Sequence, residues 1–258
     1  MAETKTHNSA AIAGNMTANQ SIDSMFKAGA HFAFSKSRRH PTVAPYIFGA
    51  KNKVEIFDLE KTGPLLAAAS EFVKSIAKEG KSILIVGGKS EARAAVKNAG
   101  ETLGMPFVDG RWIGGTLTNF KEIRKRVEKM ERLMSEREKG ELAKYTKKER
   151  LLIDREIANL ERFFTGIVVM KELPKALFVI DPKREYTAVK EAKDIGIPVI
   201  SLAGSDCDIS EDDYPIVGND SSKSSIEFFV HEIAHAYSEG KKLWQPPQTT
   251  AKTSAPSK

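Results

Sequence analysis

The sequence holds one cysteine, Cys207, in 258 residues. A lone thiol closes no internal disulfide and builds no multi-cysteine metal site, so the sequence points to a reducing compartment. No apolar run approaches the ~20 residues that a membrane helix needs, so no membrane partner is expected. The first twenty residues, MAETKTHNSAAIAGNMTANQ, have no charged start followed by an apolar core, and no secretory leader is read there. Without secretion, the spellings Asn15-Met16-Thr17 and Asn219-Asp220-Ser221 carry no glycosylation meaning. Also missing are a carboxylate pair, a Ser-His-Asp set, a nucleophile elbow, a GxGxxG turn and a Walker loop. Charge of one sign is locally absent too. Residues 201–220 carry 6 acids without Lys or Arg, and the last 18 residues carry 4 Lys without an acid.

What is present is an ordinary globular composition, 41% hydrophobic and 29% charged, long enough for one α/β domain with an excursion or tails. The net charge of +6 suits a polyanionic partner. It is concentrated. Residues 121–162 carry 14 Lys/Arg against 10 acids, and residues 27–61 carry 7 against 3.

Small, polar residues 1–20 and the basic run from Lys241 to Lys258 read as disordered tails. Between them, across 21–240, strands and helices alternate. YIFGAKNKVEIFDL predicts a hairpin of Tyr46–Phe48 with Val54–Phe57. SILIVGG, PFVDG, KALFVID, PVISLAG and YPIVGND read as strands. EKTGPLLAAASEFVKSIAKEG, KSEARAAVKNAGETLG, Glu185–Ile195 and SSKSSIEFFVHEIAHAYSEG read as helices, the last with Ser or Asp as its cap. Apolar strands separated by such helices predict a doubly wound parallel sheet, Rossmann- or flavodoxin-like.

Residues 119–163 break this rhythm. They are too long for one crossover helix. Ile123, Val127, Met130 and Met134 space one apolar seam; Leu151, Ile157 and Leu160 space another. Gly140 interrupts them, and Thr146 followed by Glu149 spells a capping box. The pattern predicts an inserted, protruding coiled-coil hairpin, either a solvated arm or a docking arm for RNA or protein.

Four stretches offer chemistry. His231-Glu232-x-x-His235 puts two imidazoles one helical turn apart, the spelling of a zinc hydrolase. Against it, Ile226, Phe229, Val230, Ile233 and Tyr237 already give that helix a core stripe, and downstream Glu239 is too near to close a site. ILIVGGKSEAR could hold a phosphate on its amides, the alternative of a nucleotide-binding α/β enzyme, but tight strand-to-helix turns use glycine anyway. The acids Asp206, Asp208, Glu211, Asp212 and Asp213 lack calcium-loop spacing and read as a solvated or partner-facing loop.

The other two stretches suit RNA. FSKSRRHPTVAPYIFGAKNK offers Lys36, Arg38, Arg39, Lys51 and Lys53 on a basic, non-helical segment stiffened by prolines. DGRWIGGTLTNFK offers Arg111 and hydrogen-bonding Thr116, Thr118 and Asn119 around paired glycines, with Trp112 partly wedged into the core; Lys121 and Arg124 follow. Lys36, Arg38, Arg39, Lys51, Lys53, Arg111, Asn119, Lys121 and Arg124 are the expected RNA-facing set. No catalytic residue, metal ligand, cofactor or small-molecule substrate is expected.

The runs GAHF, YIFGAKNKVEIFDLEKT, RWIGGTLTNFK, YTKKE, LPKALFVID, EAKDIGIPVI and IVGND, in this order, resemble one family: the second protein of the bacterial small ribosomal subunit, S-two. The resemblance covers about Ser21 to Gly240. It implies a parallel α/β domain with a coiled-coil hairpin and a structural, rRNA-binding role without catalysis. It further implies a cytoplasmic, ribosomal location, and contact with neighbouring ribosomal proteins, including the large mRNA-binding protein S-one. The closing helix has no zinc role in that family. The chain departs from the family at Ala33-Phe34, where Gly-His is usual, and at SRRHPTVAP, where Arg38 and Arg39 offer phosphate contacts of their own. The first twenty residues lie outside the family core.

Overall fold

The computed structural model describes residues 21–244. Of the tails expected at 1–20 and 241–258, residues 1–20 and 245–258 lie outside the described residues, whereas residues 241–243 continue the last helix. A first helix, α1, occupies residues 21–27. Two 3-10 turns follow, Lys36–Arg38 and Pro41–Tyr46, then a hairpin of β1 (Ile47–Lys51) and β2 (Val54–Phe57). The segment expected to be non-helical is therefore two short helical turns. Pro41 presets φ at the first position of the second turn, and the His40 ring bonds Thr42, fixing its start. Tyr46 belongs to that turn, not to the strand. Asn52 and Lys53 both take positive φ, 54° and 67°, as a two-residue hairpin turn requires.

The main sheet holds β3 (Ile83–Val86), β4 (Phe107–Val108), β5 (Ala176–Ile180), β6 (Val199–Ala203) and β7 (Tyr214–Val217). Its order is β4-β3-β5-β6-β7 with every neighbour parallel. Counted along the sheet's own strands this is 2-1-3-4-5, the flavodoxin-type doubly wound order. ILIV, ALFVI and VISLA are buried along their whole length, because helices cover both faces. Alternation assigns the faces. Ile83 and Ile85 point into one apolar layer, shared with α2 (Leu59–Lys78), α3 (Ser90–Leu103) and α7 (Lys223–Leu243). Leu84 and Val86 point into the other, shared with α4 (Phe120–Glu138), α5 (Lys147–Phe164) and α6 (Tyr186–Asp194).

The sequence predicts that the closing helix stops at Gly240; it continues to Leu243. Gly240 serves close packing rather than termination: a Cβ there would sit 2.5 Å from the Lys74 carbonyl of α2. Trp244 then lies against Gly80 at the end of α2. The Ser222 hydroxyl caps no helix amide and instead bonds the Ser224 hydroxyl, while Asn219 Oδ1 accepts the Ser221 and Ser222 amides.

Residues 119–163 form α4 and α5, joined through a 3-10 turn at Glu141–Lys144 that folds against α4. Thr146 and Glu149 make both bonds of the capping box. Lys129 of α4 pairs with Glu156 of α5. The buried seam is Ile123, Val127, Met130 and Leu133, together with Ile157 and Leu142, and half-buried Met134 and Leu160 pack against the apolar layer as predicted. Leu151 stays half exposed and leaves the expected seam, because the turn carrying Leu142 supplies the apolar cover at that end.

Candidate nucleic-acid interface

In a doubly wound sheet ligands bind beyond the carboxyl ends of the strands, at the switch point, here between β3 and β5. This chain fills that crevice with its own side chains. Lys89, after β3, reaches Asp181 after β5 at 2.7 Å and Asp220 after β7 at 2.7 Å. Asp220 is almost fully buried. Burial pushes the Asp220 carboxyl up against the pull of Lys89, and the two carboxylates overcome the burial of Lys89 and raise its ammonium pKa. The Gly88 amide bonds Glu185, whose carboxyl burial raises. The seat expected for a nucleotide phosphate thus holds protein carboxylates. Asp181, Cys207 and Asp220 are the one group among the described residues whose ligand atoms cluster closely enough for a metal, and the Lys89 ammonium already balances two of them.

The Asp109–Lys121 loop leaves the same carboxyl edge at β4. Its centre is Glu191 of α6, a buried carboxylate. Glu191 Oε1 accepts from Trp112 Nε1 at 3.1 Å and the Gly115 amide at 2.8 Å. Oε2 accepts from the amides of Leu117 at 3.0 Å and Thr118 at 3.3 Å, and from the Thr118 hydroxyl at 3.3 Å. Burial alone would raise this carboxyl; the bonds from Gly115, Trp112, Leu117 and Thr118 outweigh burial and hold its pKa below the usual range. Gly115 takes φ +88° here, a conformation that glycine reaches without strain. The paired glycines therefore serve an internal carboxylate rather than a close approach of RNA. Thr116 bonds Ile113 and is buried. Arg111, Asn119 and Lys121 remain on the surface. Arg111 shares a cleft with Lys97 and Arg162, and with Asp109 and Glu161.

The other basic group caps the sheet at the β6 and β7 ends. The His40 amide bonds the Ser205 carbonyl, and the Phe34 amide bonds the Ser205 hydroxyl. Residues 32–34 pair with β2 through Ala33 N–Glu55 O and Glu55 N–Phe34 O. The Arg38 guanidinium lies 5.2 Å from the Phe34 ring centre. Lys36, Arg38, Lys51 and Lys53 are surface cations.

Two members of the expected set have internal work. Arg39 pairs at 2.9 Å with Glu55, a buried carboxylate. Arg124 donates to the Val168 carbonyl at 3.1 Å and pairs with Glu128. The acids of the acidic loop also have partners within the chain, although Asp208, Glu211 and Asp213 are exposed, as a solvated loop would have them. Asp206 pairs with Lys183 and Glu211 with Lys193. Asp208 accepts from Ser210, Asp212 from Ser201, and Asp213 from the Val199 amide. Sequence reasoning missed Glu191, Lys89, Asp181 and Asp220 as organisers. Glu191 sits in EAKDIGIPVI and Asp220 in IVGND, but nothing local tells a buried anchor from a surface acid.

His231 and His235 project into solvent, their side chains 77% and 60% exposed, with ring centres 6.4 Å apart. Neither enters a closely spaced cluster of three metal-ligand atoms among the described residues. No described helix is long and apolar enough to cross a membrane.

The geometry is that of a doubly wound domain whose crevice at the switch point is filled by its own charges and whose cations face outward. The family model for ribosomal protein S2 matches residues 25–240. The chain is 42% identical to small ribosomal subunit protein uS2 of a Nitratiruptor species, over 85% of this chain and 82% of that protein. It is 40% identical to small ribosomal subunit protein uS2 of Coprothermobacter proteolyticus, over 85% and 82%, and 42% identical to that of Sulfurimonas denitrificans, over 85% of each. The chain belongs to the ribosomal protein S2 family, a structural, non-enzymatic family of the small ribosomal subunit. The zinc-hydrolase and nucleotide-enzyme alternatives fall with that assignment.

Proposed function

We propose that this chain binds folded small-subunit rRNA through two basic surfaces at the carboxyl edge of its sheet, one at each end of the strand row. The first carries Lys36, Arg38, Lys51 and Lys53; the second carries Arg111, Asn119 and Lys121. Arg39 and Arg124 hold those surfaces in shape. The observation that carries the reading is this separation of roles: the surface cations flank loops that are held from within, the Gly115 and Leu117 amides by Glu191 and Arg39 by Glu55. Such cations displace counterions from phosphates, so binding weakens steeply as salt rises. The α4–α5 pair acts as a coiled-coil docking arm, toward rRNA or a neighbouring ribosomal protein. The chain works on the cytoplasmic ribosome and also meets adjacent small-subunit proteins, among them the large mRNA-binding protein S-one. The family resemblance supports these partners.

Gradient sedimentation of lysate tests this. Co-migration with the small subunit at low salt, reduced as salt rises, is the expected result. Migration as a free protein at low salt refutes it. Charge reversal at Arg38, Arg111 and Lys121 together should weaken incorporation while leaving the melting curve unchanged. Arg39 is excluded from that variant, since its reversal would strand Glu55.

A further inference from the structure

Phe48 is the most exposed large apolar side chain among the described residues, at 80%. Its exposure has a local cause. The β1–β2 register slips between Ile47 and Gly49, so Phe48 is the extra residue of a bulge. Bulges re-aim side chains, and this one turns an aromatic ring away from the core. β2 is flanked by residues 32–34 on its other side, which leaves β1 as the outer strand of the ribbon. Immediately along β1 come Lys51 and, across the turn, Lys53, both exposed. Glu55 is the nearest acid in sequence; it is buried and paired with Arg39.

An exposed apolar ring with two cations within five residues is poorly matched to an apolar protein surface or to a second copy of this basic chain. It matches a flat, anionic partner. An unpaired nucleotide offers a π-face to the ring and phosphates to the two lysines at the turn end of the hairpin. We infer that Phe48 is a stacking platform for one unpaired base of small-subunit rRNA, with Lys51 and Lys53 holding the flanking phosphates. The inference rests on the rRNA-binding reading and adds to it a single-stranded target at a named side chain.

The test uses the full chain and small-subunit particles stripped of it, with Phe48→Ala, Phe48→Leu, Phe48→Tyr and Phe48→Trp. Melting curves of all four should match the native chain, because the ring contributes little to the core. Stacking requires a flat ring, so Ala and Leu should weaken rebinding on the order of tenfold while Tyr and Trp keep it. The dependence on log salt should be unchanged in all four, and should become shallower by roughly one per lysine in Lys51→Gln and Lys53→Gln. The indole introduced by Phe48→Trp should be quenched on rebinding. Native-like rebinding by Phe48→Leu, or a blue-shifted and unquenched indole, overturns the inference in favour of an apolar protein contact. Native-like rebinding by all four variants overturns it too, and leaves the rRNA reading standing. Failure of the native chain to rebind in a salt-dependent way overturns both.

Discussion

At the scale of the residue, three buried or half-buried ionisable groups set the chemistry of this chain. Glu191 holds the Trp112–Thr118 loop through five bonds. Its pKa is lowered in the fold, so its contribution is present above the ordinary carboxylate value and is lost as pH falls through the folded value. Glu191→Gln should therefore cost about 1–3 kcal/mol at pH 7 in urea unfolding, with the difference from the native chain shrinking under acid conditions. Asp212 behaves oppositely. Burial raises its pKa to about 6. The folded state then binds the proton more tightly than the unfolded one, and stability falls as pH rises from the ordinary carboxylate value through about 6. Asp212→Asn should remove that decline, seen as a melting temperature less sensitive to pH over this window. Lys89→Met should cost about 3–5 kcal/mol, because it leaves Asp181 and Asp220 buried without a cation; restoring one neutral partner with Asp220→Asn should recover part of it. None of this is legible in the sequence. Local pattern marks a lysine after a glycine turn as a candidate phosphate ligand, and only the gathering of the carboxyl ends of β3, β5 and β7 at one edge of the sheet reveals two carboxylates already beside it.

Among the elements, periodicity carries far. ILIV, ALFVI and VISLA read as buried strands because an all-apolar run of that length has no exposed face to alternate with. The capping box at Thr146 is readable because both its partners lie within four residues. Thr146→Ala should loosen α5 by about 1 kcal/mol, measured as faster amide exchange over residues 147–150, while the sheet keeps its protection. The seam between α4 and α5 is less legible. Spacing places Met134 after Met130, and it does pack on the apolar layer, but the deeper burial of Leu133 and Leu142 depends on the turn that folds back against α4, which no helical period encodes. Gly240 misleads for a related reason: a glycine near a helix end resembles a stop, whereas its neighbour across space is the Lys74 carbonyl. Gly240→Ala should destabilise the α2–α7 contact and lower the melting temperature by several degrees, despite alanine being the better helix former.

For the whole molecule, the order β4-β3-β5-β6-β7 makes the sheet a framework with basic loops at both ends of one edge. Its fold class follows from strand–helix alternation. The strand order does not, because no local signal says on which side of β3 the strand after α3 will lie. The same order has a temporal side. α2 carries Leu66, Ala69, Val73 and Ile76 on the face that α7 covers, and α7 is the last described element to be made. Synthesis of the stretch between Lys78 and Lys223 occupies roughly 7–30 s at ~5–20 residues per second. Throughout that interval the nascent chain presents a bare apolar helix face to its surroundings. Its own last helix arrives late as the cover, so slowed elongation after β7 should favour chaperone capture and aggregation over native yield.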